Sequence, residues 1–345
     1  MVVGIVLCLI FSSLVGCAGS SGKEKGELNL IVWSEYLPDE VVSNFEQETG
    51  VKVNITTYTS ADEMLAKVQS SAAGTYDMII APGVNTAILI KEGRLEKLDI
   101  SKIKNYGNVD PAYMSTPNDK NNEYSIPYLY TSVVIAVNTD VIKDDITSYQ
   151  DLLKPEYKDK MVVVEDARTM VTAALIATGN DVNDTSDQAL KAAKDYLMKL
   201  KPNIHAFNGD SPKTLLLNGE CPLGLIYGGE CALAMDENPA IKGIYPKEGI
   251  YFEMDMMMKT KAAKNPDNVE KFIDYILDGK VSAKISETFP YINPNKEAKK
   301  YLSEEYLSNK IKNIPEEEVK KGKQLLDIGD GLQKVVDIWD EFKAN

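Results

Sequence analysis

The chain has 345 residues, with 38 Lys+Arg against 52 Asp+Glu, a formal charge of −14. At 44% hydrophobic and 26% charged it is a globular chain with core enough for about two domains, not a disordered one. No basic face can be assembled without a still more acidic remainder, which excludes nucleic acid as a partner. A cationic partner fits, although acidity also serves solubility.

Residues 2–15 are almost wholly apolar. The run is short for a bilayer span, which needs about 20 residues, and it reads as the core of a secretory signal peptide. Gly16-Cys17 at its end resembles the lipobox of bacterial lipoproteins, in which the Cys thiol is lipidated and becomes the new N-terminus. No Lys or Arg precedes the apolar run, a departure that a misassigned start at Met1 accounts for; the alternative is an uncleaved short anchor. The expectation is a signal peptide over 1–16, lipidated Cys17 and a Gly/Ser-rich tether over 17–27. The mature body is then exported and held at the outer face of the cytoplasmic membrane, at the cell surface or in a periplasm. Cys8 leaves with the signal. Cys221 and Cys231 are expected at opposite ends of a strand and turn, well over ~7 Å apart and therefore free. His205, in the loop-like stretch 202–205, is the sole histidine, so no metal site is expected.

Residues 28–32 form a short apolar strand ending at Trp33. Pro38 and Asp39 open a helix with Val41, Val42 and Phe45 on one face, stopped by Gly50. A strand over 51–57, a helix from Asp62 ended by Ala72-Ala73-Gly74, a buried strand over 78–81 and a helix stopped by Gly93 follow. This alternation predicts an α/β sheet with helices on its faces. Residues 124–130 lead into a strong strand over 133–138. A second α/β set comprises a strand at 161–164, a helix from Ala167, a strand at 223–227, a Gly228-Gly229 turn and a helix from Glu230. Residues 250–258 read as a strand returning to the first lobe. Amphipathic helices follow, one over 268–277 and one carrying Leu332, Val335, Val336, Trp339 and Phe342, with Trp339 as core.

No phosphate loop, GxSxG or HExxH motif is present, so an exported two-lobed chain of this kind reads as a binding protein, not an enzyme, and no cofactor is called for. Asp255 is anomalous among Met254, Met256, Met257 and Met258, because a buried unpaired carboxylate costs several kcal/mol. Glu253 shares its strand face, and two such acids suggest a cation between lobes. The methionines themselves read as core.

Trp33-Ser34-Glu35-Tyr36-Leu37-Pro38 and the stretch 45–53 resemble the opening of the bacterial spermidine/putrescine-binding proteins. Tyr124-Ser125-Ile126-Pro127-Tyr128, the stretch 153–158, Asp166-Ala167-Arg168, Pro246-Lys247-Glu248-Gly249 and Tyr291-Ile292-Asn293-Pro294-Asn295 continue the resemblance in order from residue 28 to the end. It implies the periplasmic-binding-protein-like fold (type II): two α/β domains joined by crossing hinge strands, closing on a ligand for an ABC permease. The lobes are then 28–132 plus about 254–300, and 133–253 plus about 301–345, in a monomer. Carried over by position, the implied ligand-binding residues are Trp33, Ser34, Glu35, Asp166, Tyr227, Asp255 and Tyr291, with Glu253 a further anchor. Pro82 and Val84 stand where the family often has Ser and Tyr, Thr169 where it has a second acid, Glu253 for an aromatic and Leu325 for a Gln. The ligand expected is spermidine or putrescine, or else another small cationic amine or basic amino acid.

These residue types suit a polyamine, an apolar chain with spaced ammonium groups. Carboxylates supply charge-assisted hydrogen bonds and rings supply cation–π faces. Trp33, Asp166 and Tyr227 lie at or just past the carboxyl ends of predicted strands, where open α/β sheets bind ligands. Plainer roles compete: Asp166 as the cap of the helix at Ala167, Trp33, Tyr227 and Tyr291 as packing residues, and Glu35 as a surface charge.

Overall fold

The structure, a computed structural model, describes residues 26–344. The signal segment 1–16, Cys8, Cys17 and the tether through residue 25 lie outside the described residues. Strand β1 (Glu27–Trp33) starts inside the stretch read as tether, because Glu27 and Leu28 already pair with Lys52 and Val53 of β2 (Lys52–Tyr58). Between them α1 (Asp39–Thr49) ends at Gly50, whose left-handed φ of 71° lets its N–H close on Glu46. Helix α2 (Ala61–Ser70) is capped by Ser60, which accepts from the Glu63 N–H, so it opens earlier than Asp62 and stops before Ala72. Then come β3 (Met78–Pro82), α3 (Gly83–Lys91), β4 (Leu95–Glu96) and β5 (Ser125–Thr131).

The chain crosses after Ser132 into β6 (Val133–Asn138) of a second sheet. There β7 (Met161–Val163), α4 (Ala167–Ala177), α5 (Asp187–Leu200), β8 (Ile204–Phe207), α6 (Lys213–Leu217), β9 (Leu223–Tyr227), α7 (Gly228–Glu237) and β10 (Ile241–Ile244) follow. It crosses back into β11 (Tyr251–Thr260), followed by α8 (Pro266–Ile276), α9 (Gly279–Thr288), α10 (Glu304–Ser308), α11 (Glu316–Lys321), β12 (Lys323–Gln324) and α12 (Gly331–Ala344).

Among the described residues the first sheet has seven strands, running β12-β11-β3-β1-β2 with β4 and β5 also on β11; the second runs β10-β6-β9-β7-β8. This is the two-lobed α/β architecture expected. In β1 the period of two sends Leu28, Leu30 and Val32 to one core with Phe45 and Phe272, and Ile31 to another with Met64, Met256 and Met258. The methionines of β11 are core, and so is Trp339, which packs with Phe207 and Phe342 in the second lobe. Cys221 and Cys231 are both buried and free. Among the described residues no helix is long and apolar enough to cross a membrane.

Further local details differ from the expectation. His205 lies in β8, not in a loop; this four-residue strand pairs only with β7 and is half exposed, too short for a periodic signal. Gly228 and Gly229 are the first turn of α7, not a turn before it. A Cβ on Gly229 would stand 2.7 Å from the Tyr291 ring, so the glycine there serves a contact from the other lobe. Finally, α5, with its buried Leu190, Ala193, Leu197 and Leu200, and α9 are not among the expected helices.

Candidate ligand-binding site

The strand ends converge between the lobes. Trp33 closes β1, Tyr227 closes β9, and Asp166 follows β7 at the head of α4. Two adjoining segments of cleft share Trp33, Tyr227 and Glu253. The first encloses about 490 Å³, counting space open to solvent, and is also lined by Ser34, Glu35, Asp255 and Tyr291. The second, about 560 Å³, is lined by Asp166 and Arg168 instead. Seven of the eight expected residues therefore meet in one segment, and Asp166 stands in the next, joined through Glu253.

Asp255 lies in β11 opposite Pro82 and is only 3% exposed. Its carboxylate accepts from the Tyr36 hydroxyl at 2.5 Å and from Trp33 Nε1 at 3.4 Å. Both donors are neutral. Burial pushes this carboxyl up to about 7, against the pull of the two donors. Glu253 is held well above the usual carboxylate range, by burial first and then by Asp255 and Asp166, while Arg168 pulls the other way. The walls are aromatic. Trp33 packs against Tyr58 at 4.5 Å and meets Tyr227 edge-on at 6.5 Å, and Tyr291 meets Tyr36 edge-on at 5.0 Å.

Ser34 and Glu35 turn the chain out of β1, Glu35 with a left-handed φ of 47° that glycine adopts more readily. Ser34 Oγ donates to Asp210 across the cleft, and Glu35 meets Lys213 of the other lobe at 2.7 Å. Asp166 caps α4, accepting from the Thr169 N–H at 2.8 Å. Asp166→Asn is expected to keep folding stability within ~0.5 kcal/mol, since its amide oxygen still caps, whereas Asp166→Ala loses ~1 kcal/mol. Urea unfolding measures both; equal losses would mean that the helix depends on the charge and not the cap.

Sequence reasoning did not single out Tyr36, Asp210, Lys213 or Glu230, although Tyr36, Asp210 and Glu230 line the cleft. Tyr36 carries the one available signal, its place in the Trp33–Pro38 motif. Of the positions that depart from the resemblance, Pro82 and Val84 line the cleft, whereas Leu325 is buried in the second core.

Two α/β lobes joined by crossing strands around an acidic, ring-walled cleft define a two-lobed periplasmic-binding-protein-like fold. Residues 40–315 match the model of the bacterial extracellular solute-binding proteins, and the chain belongs to that family. It is 34% identical over 331 residues to the spermidine/putrescine-binding periplasmic protein of Salmonella typhimurium, covering 96% of this chain and 95% of that one. A solved Listeria monocytogenes protein named as a spermidine/putrescine ABC transporter matches with TM-score 0.88 at 29% identity, over 92% of this chain and 98% of that one. The Streptococcus pneumoniae spermidine/putrescine ABC transporter substrate-binding protein PotD matches with TM-score 0.79 at 27% identity, over 92% and 99%.

Proposed function

We propose that this protein captures a polyamine, spermidine or putrescine, between its lobes and delivers it to an ABC permease, without chemical turnover. The observation that carries this reading is Asp255, a buried carboxylate facing the cleft whose hydrogen bonds, among the described residues, come from two neutral donors. An ammonium group there would supply the charge that Tyr36 and Trp33 lack. Glu253 beside it and Asp166 beyond offer further carboxylates, and Trp33, Tyr227 and Tyr291 offer faces for methylenes. The names of the relatives support the same ligand class. The jaws we assign are 28–132 with about 254–300, and 133–253 with about 301–345, except that β11 from Tyr251 and β12 pair into the first sheet. Closure draws on contacts from both. In this reading the protein works as a monomer, exported and lipid-anchored through Cys17 once residues 1–16 are removed.

The test is a thermal-shift panel of the purified protein against spermidine, putrescine, spermine and basic amino acids. A polyamine at ~100 times its dissociation constant is expected to stabilise the fold by ~2.7 kcal/mol. A panel in which arginine or lysine raises the melting temperature and no polyamine does would replace the polyamine by a basic amino acid in the same clamp.

A further inference from the structure

Lys213 opens α6 on the second lobe and reaches across the cleft. Its ammonium donates to Glu35 Oε2 at 2.7 Å, to Glu230 Oε2 and Oε1 at 3.1 and 3.2 Å, and to Ser211 Oγ at 2.9 Å. Glu35 belongs to the first lobe; Glu230 and Ser211 belong to the second. The Glu230 side chain is 4% exposed and that of Lys213 13%, so this ion pair is held away from bulk water. Two of the carboxylates lining the cleft are therefore already engaged by an ammonium of the protein's own. By contrast, among the described residues no lysine or arginine forms an ion pair with Glu253, Asp255 or Asp166; Arg168 lines the Asp166 segment without pairing with them, and Asp210, Asp62 and Asp327 add further carboxylates to the lining.

We propose that Lys213 sets the selectivity of the cleft: by filling the Glu35–Glu230 end with an intramolecular ammonium, it closes that end to an ammonium of the ligand, leaves Glu253–Asp255 and Asp166 as the carboxylates shared by the adjoining segments, and so favours a diamine over a triamine. The inference rests on the polyamine reading above and adds which end of the cleft is closed to a ligand ammonium. A third ammonium directed at Glu35 meets a like charge, or must displace Lys213 and take over all its contacts. The Glu253–Asp255 and Asp166 positions are connected, because Glu253 lines both segments of the cleft.

Calorimetric titration of the purified protein with putrescine and with spermidine tests this. The wild type is expected to bind putrescine more tightly. Lys213→Met is expected to shift the affinity ratio toward spermidine by about tenfold or more, the worth of one charge-assisted hydrogen bond. Lys213→Arg is expected to keep the wild-type ratio. Should the Met variant not fold, Lys213→Gln, whose amide can still donate to Glu230, is expected to shift the ratio in the same direction. A wild type that prefers spermidine overturns the proposal, as does a ratio unmoved by loss of the Lys213 charge. A wild type that binds neither amine overturns the polyamine reading and this proposal together, whereas amine binding with an unmoved ratio overturns this proposal alone.

Discussion

Asp255→Asn is expected to weaken polyamine binding by about 2–5 kcal/mol, the cost of truncating one partner of a buried charge pair. The substitution is nearly isosteric, so the Tyr36 hydroxyl keeps an oxygen to donate to, and the rings around the site have no reason to move. What is lost is the negative charge that an ammonium would neutralise. The same charge burdens the ligand-free protein, because burial opposes its ionisation. The variant's thermal midpoint without ligand at pH 8 is therefore expected to hold or rise while affinity falls. Calorimetry and thermal denaturation on the same preparation separate the two effects. Unchanged affinity would remove Asp255 from the site, and a lower midpoint would mean that the carboxylate serves the fold.

Polyamine affinity is also expected to rise steeply with pH between 6 and 8. Asp255 is pushed up to about 7, so below that value the ligand-free protein holds a proton where an ammonium must bind. Binding then releases the proton, and affinity falls by up to about tenfold for each pH unit below neutrality. Glu253, also raised, steepens the fall. Amines of the polyamine type stay charged throughout this range, their ordinary value lying near ~10 as for lysine. Folding stability has the opposite sign. The folded-state value of Asp255 lies above its ordinary 3.8, so the native state binds the extra proton between 3.8 and about 7, and this contribution to stability fades as pH rises through that window. Titrations at fixed ionic strength from pH 5 to 8 measure the slope. A flat profile would sink the assignment of these two acids to the ligand, and Asp255→Asn should itself make it shallower, leaving the share of Glu253.

The lobes were legible because their signals are local. Alternating Leu28, Leu30 and Val32, the Gly50 stop and the apolar face of α8 each need only a few neighbouring residues to declare a strand or a helix. The anomaly of Asp255 was legible for a related reason: a carboxylate inside a run of methionines contradicts its own strand, and it is buried at the cleft rather than in the core. Asp166 was ambiguous from sequence and remains double in structure, a helix cap that also lines the cleft.

By itself, then, the sequence determined two α/β halves, the strand ends that meet at the cleft and the two acids of β11. Only the tertiary structure decided how the charges are shared. Tyr36 reaches Asp255 across 219 positions and Lys213 reaches Glu35 across 178, and nothing local to a lysine at the head of a short helix distinguishes it from a solvated one. The same holds for Gly229, whose missing side chain makes room for the Tyr291 ring from the opposite lobe. The reason is physical: the pairing of a charge depends on which groups folding brings within a few ångströms of it, and chain order does not carry that distance.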